Sequence, residues 1–361
     1  MGLVRGYRAT GADLPYGDPL RSHGVAMEGY FWRFTDPVSR RVLVALIGVN
    51  ARGGRHWATA AVAASATADE PAYLRAVELP DAWADPMALG VRAGSAFLGT
   101  GRRVLVDLGG SCRLDVTVDE PVPWPRRAFG GSSGFHIVPA LNQYWHPWLL
   151  GGTARGTAVL DGRRWVLDGA ATYAEKNWGR EGFPEAWWWG QAHGFPEPEA
   201  CVAFAGGQVT AGPVHTEVTA LVVRLPSGAV VRLGNPGLSP VAATVTDSSW
   251  RLRGRSALWQ VDVDAAAVPG DAHVLPVPLP REGRNTPGAI EHLSGSLVVT
   301  VRRGGRTVWS GESALAGLEH GGLAGADAEL RRRGAPPHAT SALPVARPVG
   351  RDGLRPAATP Q

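Results

Sequence analysis

Short apolar stretches separated by turn residues recur along most of the chain. In residues 112–118, apolar and polar side chains alternate strictly, which is the period of a strand with one buried and one solvated face. Residues 27–34 and 42–49 are apolar or aromatic on both faces, which indicates strands buried on both sides. Residues 58–68 are rich in alanine and fit either a short helix or an edge strand. No stretch of about twelve residues follows the 3.6-residue period of an amphipathic helix.

Turn residues join several of these stretches into hairpins. Asp161-Gly162 separates residues 158–160 from residues 163–167, and this dipeptide supplies the positive φ angles of a type I′ turn. Glycine-containing turns predict three more hairpins, with arms at 104–108 and 112–118, at 221–225 and 230–233, and at 297–302 and 307–309. Many short strands joined in this way predict an all-β protein built from barrels or sandwiches.

Composition and charge narrow the class of protein. The 361 residues leave room for about two domains, and 44% hydrophobic with 19% charged residues is typical of a globular protein. Six arginines and three acidic residues after residue 322 give +3 of the net charge of +4, so the basic pI of 9.4 does not indicate nucleic-acid binding. We find no secretory signal, and the longest apolar run, residues 42–49, is too short to span a bilayer. We therefore predict a cytoplasmic protein, and peripheral membrane contact stays open.

Several common chemistries lack their signatures here. The two cysteines, Cys112 and Cys201, form no disulfide framework and have no metal-ligand spacing around them. The ten histidines are scattered, with neither an HExxH nor an HxH pattern. There is no phosphate-binding GxxxxGK[ST] loop and no GxSxG nucleophile turn. We therefore predict neither a metal nor a cofactor.

One segment concentrates the remaining chemistry. Residues 173–193 hold four tryptophans, acidic and amide side chains, a histidine and Lys176, which is the only lysine among 36 basic residues. Because the planar guanidinium of arginine cannot replace a compact ammonium group where space is tight, this lysine indicates a specific requirement at its position.

The period of a strand divides this segment into faces. Tyr173, Glu175 and Asn177 share one face, while Lys176 and Trp178 take the opposite one. In residues 187–193, the alternate positions Trp187, Trp189, Gln191 and His193 share a face.

If the Glu175 face and the Trp187/Trp189 face line one barrel interior, they form a dry pocket with an ionisable acid and indole walls. A desolvated carboxyl group keeps its proton at neutral pH and can deliver it to an olefin. The resulting cation is attracted to indole faces by about 2 kcal/mol, and exclusion of water prevents its premature capture. A structural alternative remains, because tryptophan-rich strands are common in cores and Glu175 with Lys176 could form a structural ion pair.

The central motif resembles the signature of the tocopherol cyclase family. It reads Tyr-Ala-Glu-Lys-Asn-Trp-Gly over residues 173–179, then Phe183-Pro184, then Trp-x-Trp-x-Gln over residues 187–191. The similarity extends to residues 27–33, which resemble the family's EGWYFR segment, to the hairpin of residues 156–165, and to residues 313–322, which resemble its SSMAxxExGG segment. The resemblance covers about residues 20–322.

The resemblance implies a pair of lipocalin-like β-barrel domains and an intramolecular cyclase. Members of this family protonate a prenyl double bond of a hydroquinone, and the phenol oxygen then closes the ring. The chain departs from plant members at Ala192-His193, where they have Cys-Asn, and in the aromatic segment of residues 144–148. Because both places fall on predicted pocket walls, the substrate is not assigned.

We predict an N-terminal arm at residues 1–20, lipocalin-like barrels at 21–205 and 206–322, and a disordered tail at 323–361. The leading hypothesis is a cofactor-independent cyclase or isomerase that acts on a prenylated aromatic or other terpenoid. The alternatives are a non-catalytic carrier of a hydrophobic small molecule and, least favoured, an interaction scaffold.

Candidate residues follow from this hypothesis. The predicted catalytic residues are Glu175 as proton donor, with Lys176 and Asn177 to position or tune it; Asp168 and Glu28 are the next candidates for the donor. The predicted substrate-binding residues are Trp178, Trp187, Trp189, Gln191, His193, Glu28 and Trp32.

Overall fold

The computed structural model describes residues 2–334, apart from residues 111, 127, 212, 213 and 269. Almost all of this part of the chain is antiparallel β-structure, as the apolar pattern predicts, in two sheets that each curl into a barrel. In the described part of the chain, neither of the two α-helices has the length and apolar character needed to cross a bilayer.

The first barrel is an eleven-stranded sheet in the order β4-β3-β2-β1-β11-β10-β9-β8-β7-β6-β5. The short strand β5 at one end of this order lies against β2 and β3 near the other end, so the sheet nearly closes. Its strands are β1 Met27–Asp36, β2 Arg41–Arg52, β3 Arg55–Ala64, β4 Tyr73–Pro80, β5 Ala82–Ala84, β6 Gly90–Ala93, β7 Phe97–Thr100, β8 Arg103–Asp107, β9 Cys112–Pro123, β10 Tyr144–Leu160 and β11 Arg163–Gly179.

The second barrel is a ten-stranded sheet in the order β15-β14-β13-β12-β21-β20-β18-β17-β16, with β19 paired to β20 beside this path. Strand β16 lies against β14, which brings the ends of the order together. Its strands are β12 Trp187–Ala192, β13 Cys201–Ala211, β14 Val214–Arg224, β15 Val230–Leu233, β16 Val241–Val245, β17 Ser249–Arg255, β18 Trp259–Ala266, β19 Ala272–Leu279, β20 Arg284–Arg303 and β21 Arg306–Gly321.

Both barrels have filled interiors. In β1, the even-numbered residues Tyr30, Trp32 and Phe34 point into the first barrel, where they join a large apolar core. The second barrel is filled by its own apolar cluster, which includes Phe204 and Trp250. The opposite face of each central wall is also apolar and packs against the other barrel, so the two barrels share a buried seam.

The predicted hairpins are confirmed. Residues 104–107 and 112–118 lie in the paired strands β8 and β9, and the arms around residue 226 and residue 304 lie in β14/β15 and β20/β21. Asp161 and Gly162 both have positive φ angles, 52° and 80°, as a type I′ turn requires. The alanine-rich residues 58–64 belong to β3, which is an interior strand between β2 and β4 and neither a helix nor an edge.

The chain changes sheet between Gly179 and Trp187, earlier than the boundary at residue 205 expected from the sequence. The predicted irregular arm begins with helix α1, Gly2–Arg8. The first residues of the predicted disordered tail instead form helix α2, Leu323–Arg332, whose Ala326 is buried. Residues 335–361 lie outside the described residues.

Candidate functional site

A cavity of about 210 Å³ lies in the seam between the two barrels; we call it the seam cavity. The first barrel contributes strands β1 to β3, β10 and β11 to its walls, and the second contributes β12 to β14 and β19 to β21. The prediction that Glu175 and the tryptophans line one barrel interior is therefore wrong, because the faces that carry them point outward from their barrels and toward each other. Principal lining residues are Phe31, Leu46, Trp145, Glu175, Asn177, Trp187, Trp189, Leu275, Val277, Ala289, Glu291 and Glu319.

Glu175 is held by three hydrogen bonds on a single oxygen atom. Trp145 Nε1 and Trp189 Nε1 each donate to Oε2 at 2.8 Å, and the Tyr173 hydroxyl donates to the same atom at 2.5 Å. Trp145 and Tyr173 belong to the first barrel, whereas Trp189 reaches across the seam from β12. Because all three donors bind Oε2, a proton on this carboxyl group must reside on Oε1.

Two further carboxyl groups line the cavity from the second barrel. Glu291 on β20 and Glu319 on β21 are register partners, so their side chains leave the sheet on the same face. Glu319 Oε1 accepts a hydrogen bond from Trp187 Nε1 at 2.5 Å. Glu291 is 1% exposed, and its Oε1 has no hydrogen-bond partner among the described residues. Three carboxyl groups thus surround one cavity: Glu175 and Glu291 are buried and Glu319 is half-buried.

Burial shifts all three groups toward their neutral forms, and repulsion between carboxylates adds to the shift of Glu291 and Glu319. Burial raises the pKa of Glu175, although the bonds from Tyr173, Trp189 and Trp145 oppose the change. Burial raises the pKa of Glu319 to about 7, against the Trp187 bond and with the charge of Glu175 adding to the effect. Burial and the charge of Glu319 hold the pKa of Glu291 well above its ordinary range. Not all three can ionise together near neutral pH.

The rest of the cavity wall is mostly apolar and aromatic. Phe31 stands edge-on to Trp189, with ring centroids 5.2 Å apart. Two amide side chains interrupt this wall: Asn177 Oδ1 and Gln143 Oε1 are buried without a hydrogen-bond partner among the described residues. Such acceptors suit a ligand that carries hydroxyl groups. Gly29 lies opposite Asn177 in the register and leaves room for it, because a Cβ there would lie 2.2 Å from Oδ1.

Lys176 lies on the other face of β11, away from the seam cavity. Its ammonium group lies 2.9 Å from Glu28 Oε2 and donates to the Arg21 carbonyl at 2.7 Å, and His23 Nδ1 lies 3.0 Å away. Tyr30 and Trp178 stack their rings against it, at 5.4 Å and 4.9 Å from the ring centroids. The ammonium group points its three N–H donors in tetrahedral directions, and the rings of Tyr30 and Trp178 close the space around it. A planar guanidinium group does not fit this arrangement, which explains why the position holds a lysine and not an arginine.

This second cluster is an internal ion pair. Burial alone would raise the pKa of Glu28, but the charge of Lys176 and hydrogen bonds lower it to about 2. Ser22 Oγ and the backbone N–H groups of His23 and Gly24 donate to Glu28 Oε1. The structural alternative that paired Lys176 with Glu175 therefore names the wrong acid, because the partner is Glu28.

Gln191 and His193 lie beside the cavity, in a polar chain that ties the barrels together. Arg33 donates from Nη1 to Gln191 Oε1 at 3.1 Å and from Nη2 to the Leu293 and Leu315 carbonyls at 2.8 Å and 2.7 Å. Gln191 Nε2 lies 3.2 Å from His193 Nδ1. These two predicted substrate-binding residues therefore contact the seam and not the cavity.

The structure thus divides the predicted site residues into two groups. It brings Glu175, Asn177, Trp187 and Trp189 together around the seam cavity. It places the others elsewhere. Gln191 and His193 belong to the polar chain just described, and Trp32, inside the first barrel, packs on Phe97. Lys176, Glu28 and Trp178 face away from the cavity, and the exposed Asp168 pairs with Arg155 on the surface.

Glu291 and Glu319 were missed by the sequence reasoning. Glu319 carried a usable signal, because it occupies the acid position of the segment 313–322 that resembles the family. Glu291 had none beyond its place in a long apolar stretch, and only the β20/β21 register brings it beside Glu319. Over residues 2–334, outside the gaps named above, no group of three or more His, Cys, Asp or Glu residues is arranged to hold a metal ion.

Comparison with known proteins places this site in a family. Residues 109–322, more than half of the chain, match the model of the family described as tocopherol cyclase-like. The chain belongs to the tocopherol cyclase-like family. The matched region includes β11, with Glu175, and runs through β21, with Glu319. The resemblance drawn from the central motif is therefore confirmed.

Two plant tocopherol cyclases align with a short part of the chain. The probable tocopherol cyclase, chloroplastic, of Oryza sativa subsp. japonica is 37% identical over 71 residues, which cover 19% of this chain and 15% of that protein. The tocopherol cyclase, chloroplastic, of Zea mays aligns with the same identity, length and coverage. The aligned segment thus spans less than a sixth of either relative.

Solved structures share the fold at low sequence identity. CghA is 14% identical with a TM-score of 0.55, over 83% of this chain and 88% of that one. Kievitone hydratase from Nectria haematococca is 12% identical with a TM-score of 0.52, over 84% and 90% of the two chains. This likeness confirms the predicted pair of lipocalin-like barrels.

Proposed function

We propose that this protein is a cofactor-independent cyclase or isomerase that protonates an olefin of a prenylated aromatic or other terpenoid in the seam cavity. The observation that supports this most is the set of three carboxyl groups, two buried and one half-buried, around one apolar, indole-walled space. A carrier of hydrophobic molecules gains nothing from such a set, because burying each acid costs free energy that apolar side chains would not. Membership of the tocopherol cyclase-like family and the names of the two plant relatives support the same class of reaction.

The chemistry needs only a proton and a ring closure. A neutral carboxyl group gives its proton to one olefin carbon, which forms a C–H bond and leaves a tertiary cation on the other carbon. The faces of Trp145, Trp187 and Trp189 attract that cation, an interaction worth about 2 kcal/mol in a dry site. A substrate hydroxyl oxygen then bonds to the cation, and its proton passes to a carboxylate. The reaction is a net isomerisation.

The polar groups of the cavity suit the hydroxyl-bearing end of such a substrate. Asn177 Oδ1 and Gln143 Oε1 can accept hydrogen bonds from phenolic hydroxyl groups and so gain the partners they lack. The apolar wall from β19 and β20, with Leu275, Val277 and Ala289, suits the prenyl chain.

The test is incubation with prenylated hydroquinones in heavy water. We expect a cyclised product with deuterium at the newly saturated carbon, and we expect Glu175→Gln to lower turnover at least 100-fold while the thermal unfolding midpoint stays close to that of the wild type. Asp168→Asn is the matched control, because this acid lies on the same strand but is exposed at the surface. Quenching of tryptophan fluorescence by every hydroquinone tested, without product from any of them, would overturn the proposal in favour of a carrier.

A further inference from the structure

We propose that the reactive proton is held by the Glu291–Glu319 pair on the second barrel, and that Glu175 acts from the opposite wall as the carboxylate that receives the hydroxyl proton. This inference rests on the proposed function and assigns the acid and base roles within it. It also reverses the role expected for Glu175 from the sequence alone.

The three carboxyl groups stand on opposite walls of the seam cavity. Glu175 projects from β11 of the first barrel, while Glu291 and Glu319 project from β20 and β21 of the second. Directly opposed residues of antiparallel strands have Cβ atoms about 5 Å apart, close enough for Glu291 and Glu319 to compete for one charge. A substrate in the cavity therefore lies between a carboxyl pair and a single carboxyl group.

Hydrogen bonding also makes the carboxyl groups on the two walls differ in acidity. Glu175 Oε2 accepts from three donors, and donors of this kind stabilise the ionised form of a carboxyl group most. Glu319 has the one indole bond from Trp187, and Glu291 Oε1 is buried with no partner among the described residues. The order of ionisation that follows is Glu175 first, then Glu319, then Glu291.

Charge balance limits how many of the three acids ionise. Arg33 is a fully buried cation in the same seam, and its four side-chain hydrogen bonds all go to neutral oxygen atoms. Its charge lowers the pKa of Glu291, but burial and the charge of Glu319 raise that pKa by more. One buried cation is offset by one carboxylate, so a single ionised group among the three acids leaves the seam near neutral. With Glu175, which has the three donors, as that ionised group, the pair across the cavity keeps its protons.

The proposed steps conserve protons and electron pairs. An O–H bond of the pair breaks as a C–H bond forms on the olefin, which leaves the pair with one negative charge. The substrate hydroxyl oxygen bonds to the cationic carbon, and its O–H bond breaks as Glu175 takes the proton. After product release, Glu175 gives a proton to water and the pair takes one from water. Two groups of unlike acidity thus serve as acid and base.

Infrared spectroscopy of the ligand-free protein in heavy water tests where the proton resides. Neutral carboxyl groups absorb at a C=O stretching position distinct from that of carboxylates. We expect the full-length protein at pH 7 to show neutral-carboxyl absorption that Glu291→Gln and Glu319→Gln each reduce and Glu175→Gln retains. The matched control, Asp168→Asn, retains it as well. Absorption that is lost only in Glu175→Gln, or is missing from the wild type, would overturn the assignment.

Turnover of a prenylated hydroquinone gives a second readout. We expect kcat to fall at least 100-fold in both pair variants with little change in KM, and Glu319→Asp to restore part of it. If the wild type converts the hydroquinone and both pair variants match its rate, the assignment of acid and base is overturned but the proposed function is not. A wild type that converts no prenylated hydroquinone contradicts the proposed function, and the infrared result then still decides which acids hold protons. Glutamine nearly matches the volume of glutamate, and Glu319→Gln alone decides the question if Glu291→Gln does not fold.

Discussion

At the scale of single residues, the protein buries charge in two different ways. Lys176 and Glu28 form a compensated pair, in which one charge satisfies the other and backbone N–H groups complete the site. The acids of the seam cavity have no basic residue in ion-pair contact among the described residues, and their pKa values rise as a result. The first arrangement suits stability, and the second suits proton transfer.

Removing the only lysine tests the compensated pair. Lys176→Met leaves the Glu28 carboxylate buried without its cation, so we expect the free energy of unfolding to fall by about 3–5 kcal/mol in urea titrations. The double variant Lys176→Met/Glu28→Gln removes both charges and is expected to be more stable than Lys176→Met alone. Equal stability of Lys176→Met and the wild type would show that the pair contributes nothing.

The same pair makes stability depend on acid pH. The folded-state pKa of Glu28 is about 2, lower than its ordinary value of 4.5, so its contribution is fully present above pH 4.5 and is lost as pH falls toward 2. Asp13, whose pKa also lies at about 2, adds a loss in the same window. Urea titrations of the wild type and of Lys176→Met/Glu28→Gln isolate this effect, because the other titrating groups are present in both. Between pH 5 and pH 3 the free energy of unfolding of the wild type is expected to fall relative to that of the double variant, and a difference that stays unchanged contradicts this account.

The pKa of Glu319, about 7, predicts how turnover depends on pH. A proton donor must be neutral, so we expect kcat to fall as pH rises through about 7. The groups that face Glu319 are Glu175, whose charge raises its pKa, and its register partner Glu291. In Asp168→Asn the profile should be unchanged. A kcat that rises steadily from pH 6 to pH 9 would exclude a carboxyl donor of this kind.

At the scale of elements, each central strand of the first barrel places side chains on one face in the barrel interior and on the other face in the seam. Strand β1 sends Tyr30, Trp32 and Phe34 into the first barrel and turns Phe31 and Arg33 to the second. Strand β11 does the same with Lys176 on one face and Glu175 on the other. Gly317 on the facing strand β21 makes this close approach possible, because the Arg33 side chain from the first barrel occupies the space above it.

Gly317 on β21 provides the test of that approach. A Cβ there would lie 2.9 Å from Arg33 Nε and 3.1 Å from a ring carbon of Trp189, so Gly317→Ala is expected to lower the free energy of unfolding by about 1–3 kcal/mol. The control is Gly325→Ala in helix α2, where a Cβ would meet nothing within 4 Å and alanine favours the helix. Urea titrations of both variants measure the difference, and equal stability would show that the seam tolerates extra volume.

Local sequence patterns were sufficient to predict many of the strands and hairpins. Asp161-Gly162 predicted its hairpin because the turn conformation depends on those two residues alone. The alternation of residues 173–178 predicted which side chains share a face. It could not predict where each face points, because that depends on strands far away in the sequence. Residues 58–64 were ambiguous for the same reason, since only the pairing of β3 with β2 and β4 makes them an interior strand.

At the scale of the whole molecule, the two filled barrels act as walls for a site that neither contains. Glu175 and Glu319 lie 144 positions apart in the chain and meet only because β11 and β21 face each other across the seam. The sequence therefore indicated the chemistry of one wall and missed the acids of the other. The family resemblance predicted the fold correctly. The position of the cavity could not be predicted, because it depends on how one barrel packs on the other.

The most direct test of the account is a crystal structure of Glu175→Gln soaked with a prenylated hydroquinone. We predict that the ligand occupies the seam between the barrels, with its double bond near the Glu291–Glu319 pair and a hydroxyl group near the substituted side chain at position 175 on the first-barrel wall. Density for the ligand inside either barrel, with the seam cavity left free, would contradict the central claim.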